Sequence, residues 1–96
     1  MAIEKFIKQV ILENKIDINS KKRRTKENGL ACKILFYVLH MEAGMPQKWI
    51  GDYFNRSEIR VRNIIREINE LRHEDDNVGA AVNGMKKLYH KFLEEE

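Results

Sequence analysis

Apolar residues recur along the chain in five blocks, each with a helical period. In residues 2–13, Ile3, Phe6, Ile7, Val10 and Ile11 stand at i, i+3, i+4, i+7 and i+8, which is one apolar face of a helix. Residues 14–20 (NKIDINS) break that period and read as a short connection in which Ile16 and Ile18 tuck under the fold. A second helix is predicted over 27–43, with Leu30, Ala31, Ile34, Leu35, Val38 and Leu39 inward, Thr25 as its N-cap and Gly44 as its stop. Pro46 suits the first turn of a short third helix over 46–54, which contains Trp49, Ile50 and Phe54. Asn55-Arg56-Ser57 then interrupts the pattern, and Ser57 caps a fourth helix over 58–72 with Val61, Ile64, Ile65, Ile68 and Leu71 inward. The acidic stretch 73–77 is predicted as a loop. A last helix, 78–94, aligns Val78, Ala81, Val82, Met85, Leu88 and Phe92. The expectation is one all-α domain over 1–96, a compact five-helix cluster.

Composition agrees with that reading and narrows the chemistry. Hydrophobic residues make up 43% and charged residues 34% of the 96 residues, enough for one modest core under a heavily charged surface. Five glycines and one proline are too few for the many tight turns of an all-β domain. The single cysteine, Cys32, excludes an internal disulfide and an all-cysteine zinc site, and is expected to pack rather than react. His40, His73 and His90 have no second ligand at i+3 or i+4, so no metal and no other cofactor is expected. Without a paired nucleophile and base or a phosphate loop, an enzyme and a small-molecule substrate are not expected either. No apolar run approaches the ~18 residues of a membrane span. A soluble cytoplasmic protein, nucleoid-associated and without a membrane partner, is therefore expected.

The net charge of +3 means little until it is divided along the chain. Residues 21–26 (KKRRTK) carry plus five, residues 46–72 plus two, and residues 73–96 minus three. The basic character is local, and a local basic patch attracts a phosphate backbone. Within 46–72, a helix of about two turns, a tight break and a longer helix make a helix-turn-helix, whose second helix enters the major groove. At 100° per residue, Ile59, Arg62, Asn63 and Arg66 point away from the apolar stripe, with Arg56 and Arg60 flanking the N-terminal end. Arginine there reaches guanine edges or phosphates, asparagine reads adenine, and an exposed isoleucine meets a thymine methyl. Glu58 either complements the helix dipole or accepts from a cytosine amine. An ordinary solvated helix face carries similar residues, and a basic run also serves as a solvated loop or a localisation signal. Trp49, at helical spacing from Phe54, fits the core better than a base stack.

The order of these features resembles the C-terminal DNA-binding domain of the bacterial replication initiator DnaA, over nearly the whole chain. Phe6-Ile7-Lys8-Gln9-Val10 with Ile16-Asp17-Ile18 is similar to that family's entry helix and link. Residues 20–26 (SKKRRTK) resemble its Ser-Lys-basic-basic loop, and residues 31–38 (ACKILFYV) its Ala-Arg-Gln-Ile-Ala-Met-Tyr-Leu helix. Ile50-Gly51-Asp52-Tyr53-Phe54 matches Ile-Gly-x-x-Phe, while Val61, Arg66, Ile68 and Leu71 fall on its recognition-helix framework. The resemblance implies a Trp repressor-like fold and makes Arg24, with Lys26 beside it, the minor-groove contact. Arg56 matches the arginine of the family's Gly-Arg-Asp-His-[Ser/Thr]-Thr-Val signature, but Ser57, Glu58, Ile59 and Arg60 replace the residues after it. Gln47 and Lys48 stand for a Leu-Pro pair and Asn63 for a histidine. The likeness thus extends to the duplex-binding mode rather than to the target sequence. No GxxxxGK[ST] run accompanies it, so the chain reads as a free-standing protein of a mobile element, phage or regulatory system, or as part of something larger.

The leading expectation is sequence-selective binding of double-stranded DNA. Lys22, Arg23, Arg24 and Lys26 are the loop contacts; Gln47, Lys48, Arg56, Ser57, Glu58, Ile59, Arg60, Arg62 and Asn63 are the helix-turn-helix contacts. The alternative is a helical protein–protein module that keeps the scaffold without base reading, and a protein partner or a homodimer is compatible with either.

Overall fold

Residues 2–14 and 26–95 are described in the computed structural model, and nearly all of them are helical. The elements are α1 (Ala2–Asn14), α2 (Lys26–Met41), α3 (Gln47–Phe54), α4 (Glu58–Glu74) and α5 (Asp76–Glu94), with no strand among the described residues. The all-α five-helix expectation is met. Of the link predicted over 14–20, Asn14 is instead the last residue of α1; the remainder of that link, the Thr25 cap, and Lys22, Arg23 and Arg24 lie outside the described residues. So does the side chain of Lys26, the first residue of α2.

α2 is the central element. Cys32 and every residue from 34 to 39 are buried, so this stretch of the helix is enclosed rather than amphipathic. It packs against each of the other four helices. The predicted inward set is too narrow on one side, since Phe36 and Tyr37 are also fully buried, and wrong at Leu30, which is 36% exposed. Met41 is 55% exposed at the helix end. α1 and α5 join through Phe6, whose ring meets Tyr89 at 5.3 Å and Phe92 at 6.0 Å, both edge-on. Phe36 and Phe54 are 4.8 Å apart and tie α3 to α2. Such ring pairs add about 0.5–1.5 kcal/mol each beyond the area they bury. Tyr37 places its hydroxyl 3.3 Å from Asn69 Oδ1 on α4, so its polar end is met inside the fold.

The helix ends differ from the predicted boundaries for local reasons. α2 stops at Met41 rather than residue 43, because Gly44 at φ 69° turns the chain and Met45 N–H donates to the Leu39 carbonyl at 3.0 Å. Pro46 is the N-cap of α3 rather than its first residue, with φ −61° and ψ 146°. The predicted acidic loop over 73–77 is absent: α4 runs on to Glu74, and Asp75 alone separates it from α5. Asp75 ends one helix by donating its N–H to the Leu71 carbonyl at 2.7 Å. Its carboxylate starts the next by accepting from the backbone N–H groups of Asn77 (2.9 Å) and Val78 (3.3 Å). N-capping of this kind outweighs the mutual repulsion of solvated acids.

Glu42, just beyond α2, pairs with Lys86 and His90 of α5, each at 3.3 Å. A groove of about 390 Å³ lies between the end of α1, the start of α2 and α5, with Leu30, Ile34, Met85 and Leu88 in its walls. It shares no lining residue with α3 or α4. Among the described residues no helix is long and apolar enough to cross a membrane.

Two glycines of α5 should respond oppositely to alanine. A Cβ on Gly79 would lie 2.9 Å from the Arg72 carbonyl oxygen, whereas one on Gly84 meets nothing within 4 Å. Gly79→Ala is expected to destabilise the fold by about 1–3 kcal/mol, and Gly84→Ala to stabilise it by about 0.5–1 kcal/mol. Urea unfolding of the two variants checks the opposite signs.

Candidate nucleic-acid interface

α3 carries two jobs in eight residues. Ile50, Gly51 and Phe54 face the core, and Trp49 stacks on Tyr53 at 5.2 Å on its half-buried side. Trp49 therefore packs against the fold, as its spacing suggested. Burial, followed by the charge of Glu4, raises the Tyr53 phenol above its ordinary value of 10.0. Because the folded state holds that proton more tightly, the associated stability is present below pH ~10 and is lost as pH rises through the folded value. Tyr53→Phe is expected to remove part of the alkaline fall in stability, read from urea unfolding between pH 8 and 11.

The turn between α3 and α4 is closed by backbone geometry. Asn55 adopts the left-handed conformation, φ 57° and ψ 52°, and its N–H donates to the Gly51 carbonyl. Arg56 N–H donates to the same carbonyl at 2.8 Å, which completes a Schellman-type closure. Gly51 has to be glycine for this approach, since a Cβ there would lie 2.5 Å from the Arg56 carbonyl oxygen. Arg56 Nη1 donates to the carbonyls of Phe54 (3.0 Å) and Asn55 (3.1 Å). Its guanidinium thus fastens the last carbonyls of α3, a role its place in the sequence did not announce. Ser57 then caps α4: its Oγ accepts from Arg60 N–H at 3.1 Å, and its carbonyl accepts from Val61 N–H at 3.1 Å.

From that start α4 presents two faces. Val61, Ile64, Ile65 and Ile68 are buried, and Leu71 is half-buried. Glu58, Ile59, Arg60, Arg62, Asn63 and Arg66 are exposed, Ile59 at 64%. Lys48 is exposed on α3, and the half-buried Gln47 meets α4 directly, its Oε1 accepting from Arg62 Nε at 3.4 Å. The structure therefore brings Gln47, Arg56, Ser57 and Arg62 together around one turn.

Charge divides along this helix. Residues 58–66 carry net plus two, and residues 67–74 net minus two. The end turns follow the helix dipole, with Glu58 first and Arg72 and His73 last, but the dipole does not reach the inner arginines. The distal half is engaged within the protein. Glu67 pairs with Lys33 of α2 at 3.3 Å, and Arg72 bonds Asn69 while lying 5.6 Å from the Tyr37 ring centre. Among the described residues no three of His, Cys, Asp and Glu gather as metal ligands. No family model, curated protein or solved structure gives a significant match to the chain.

Ser57 separates scaffold from contact. Ser57→Ala is expected to cost about 1 kcal/mol of stability through the lost cap, and Ser57→Asp to restore most of it. Thermal unfolding of both variants measures the difference.

Proposed function

We propose that the protein binds double-stranded DNA sequence-selectively through a helix-turn-helix formed by α3 and α4. The N-terminal half of α4 enters the major groove, α3 packs across it, and the basic run 21–26 contacts backbone or minor groove. The observation that carries this reading is the outward face of residues 58–66, which is exposed, net positive and includes an isoleucine that packing leaves in solvent. Phosphates account for the charge, and a thymine methyl accounts for Ile59. The resemblance to the DnaA box-binding domain supports the same docking, and its replaced signature residues fit a different target. In a bacterial or phage setting the protein would then sit on the nucleoid.

One observation favours a second reading, a helical protein–protein module built on the same scaffold. Arg62, a cation of the face, and Arg56, in the turn beside it, are already bonded within the protein. That reading predicts no salt-dependent DNA binding.

Selection from a random duplex library, followed by titration at two salt concentrations, tests the proposal. One enriched motif is expected, with log affinity falling against log salt by about 0.9 per phosphate contact. Replacing Arg23, Arg24 and Lys26 together by alanine should weaken binding at least about tenfold and flatten that slope. Ile59→Ala should keep the slope and relax one motif position. Loss of all duplex at low salt would refute the proposal, and an interrupted palindrome would mark a dimer.

A further inference from the structure

We infer that Arg62, oriented by Gln47, selects a guanine in the major groove, so that Gln47 is a positioning residue for base reading. The inference rests on the DNA-binding reading and adds to it which side chain discriminates and what aims it.

The geometry sets Arg62 apart from its neighbours. Arg56 is turned back onto the carbonyls that end α3, and Arg72 lies against Asn69 and Tyr37 at the far end of α4. Arg62 stands on the exposed face one residue after the buried Val61, so the backbone beneath it is fixed by the core. Its hydrogen bond crosses from one helix to the other and uses Nε, the donor nearest the stem. That bond engages neither of the paired Nη groups at the tip of this exposed side chain. Guanine presents O6 and N7 side by side in the major groove, and two parallel guanidinium N–H donors match them.

Gln47 suits this task chemically. Its amide is neutral, so it orients the guanidinium without cancelling its charge, as a carboxylate would. Gln47 sits half-buried in the first turn of α3, and the Gly51–Arg56 closure holds α3 against the start of α4. The two partners therefore stand on helices that this closure joins. An unrestrained arginine gives up substantial rotamer freedom on binding, and a side chain already restrained gives up less. The brace should appear as discrimination at one base pair rather than as general affinity.

The test uses the wild-type chain and its selected duplex, with every G·C pair of the motif replaced in turn. Wild type is expected to lose about tenfold or more in affinity at one such replacement. Arg62→Ala should abolish the preference at that pair alone. Gln47→Ala, and Gln47→Met as a variant that keeps side-chain bulk, should each reduce the same preference severalfold with the salt slope unchanged. Variants of Gln47 and Arg62 that alter different pairs, or that leave every G·C preference intact while wild type keeps its motif, overturn this inference alone. A wild type that enriches no motif overturns the DNA-binding reading and this inference together.

Discussion

The enclosure of α2 is the constraint on which the rest of the structure depends. Cys32 and six consecutive residues from 34 to 39 point in every direction around the helix, and all are buried. A helix apolar on all sides is stable in water only when other elements surround it. The other four helices are that surround, and each must turn an apolar stripe inward to serve. For α4 this commits Val61, Ile64, Ile65 and Ile68 to the core and fixes which residues remain outside. The outward face of α4 is thus set by packing before any ligand is considered.

The turn before α4 converts that constraint into a site. Rotation of α4 about its own axis is set by the buried stripe, but its entry point is set by Gly51, Asn55, Arg56 and Ser57. The Gly51 carbonyl receives both Asn55 and Arg56 N–H groups, and the Arg56 guanidinium gathers two further carbonyls. These bonds satisfy groups that a helix end otherwise leaves to water. They also place Gln47 beside Arg62, residues fifteen positions apart. Under the proposed reading, affinity comes from charge spread over the basic run 21–26 and α4, whereas selectivity depends on a few side chains held by this turn.

Periodicity made the five helices and most of the core legible, because Ile3, Phe6, Ile7 and Val10, or Val61, Ile64, Ile65 and Ile68, are spaced by local helical geometry. The enclosure of α2 was less legible. A period-based reading assigns one inward face, and only the arrangement of neighbouring helices shows that Phe36 and Tyr37 are covered as well. The Ser57 cap was readable from residue type, whereas Asp75 was obscured by the acids around it, although an aspartate three positions before Val78 is itself a capping signal. Within the candidate site, exposure of Ile59, Arg62 and Asn63 follows from the 100° rotation per residue. The use of Arg56 as a helix fastener and the Gln47–Arg62 bond do not, since both depend on how two helices meet.

The charge on α4 distinguishes the two roles of one helix. Glu67 in its distal half meets Lys33 of α2, while three of its four arginines, Arg60, Arg62 and Arg66, stand in the half next to the turn. Exposed ion pairs contribute little to stability, so packing does not require this segregation. Nor does the dipole, which acts only on the end turns. A solvated face with no partner would tolerate the same charges in any order. The order present here sets a net positive surface around Ile59, at the end of the helix that the turn holds most firmly. Under the proposed reading one partner satisfies both features at once, because duplex DNA offers phosphates and thymine methyl groups in a groove wide enough for a helix.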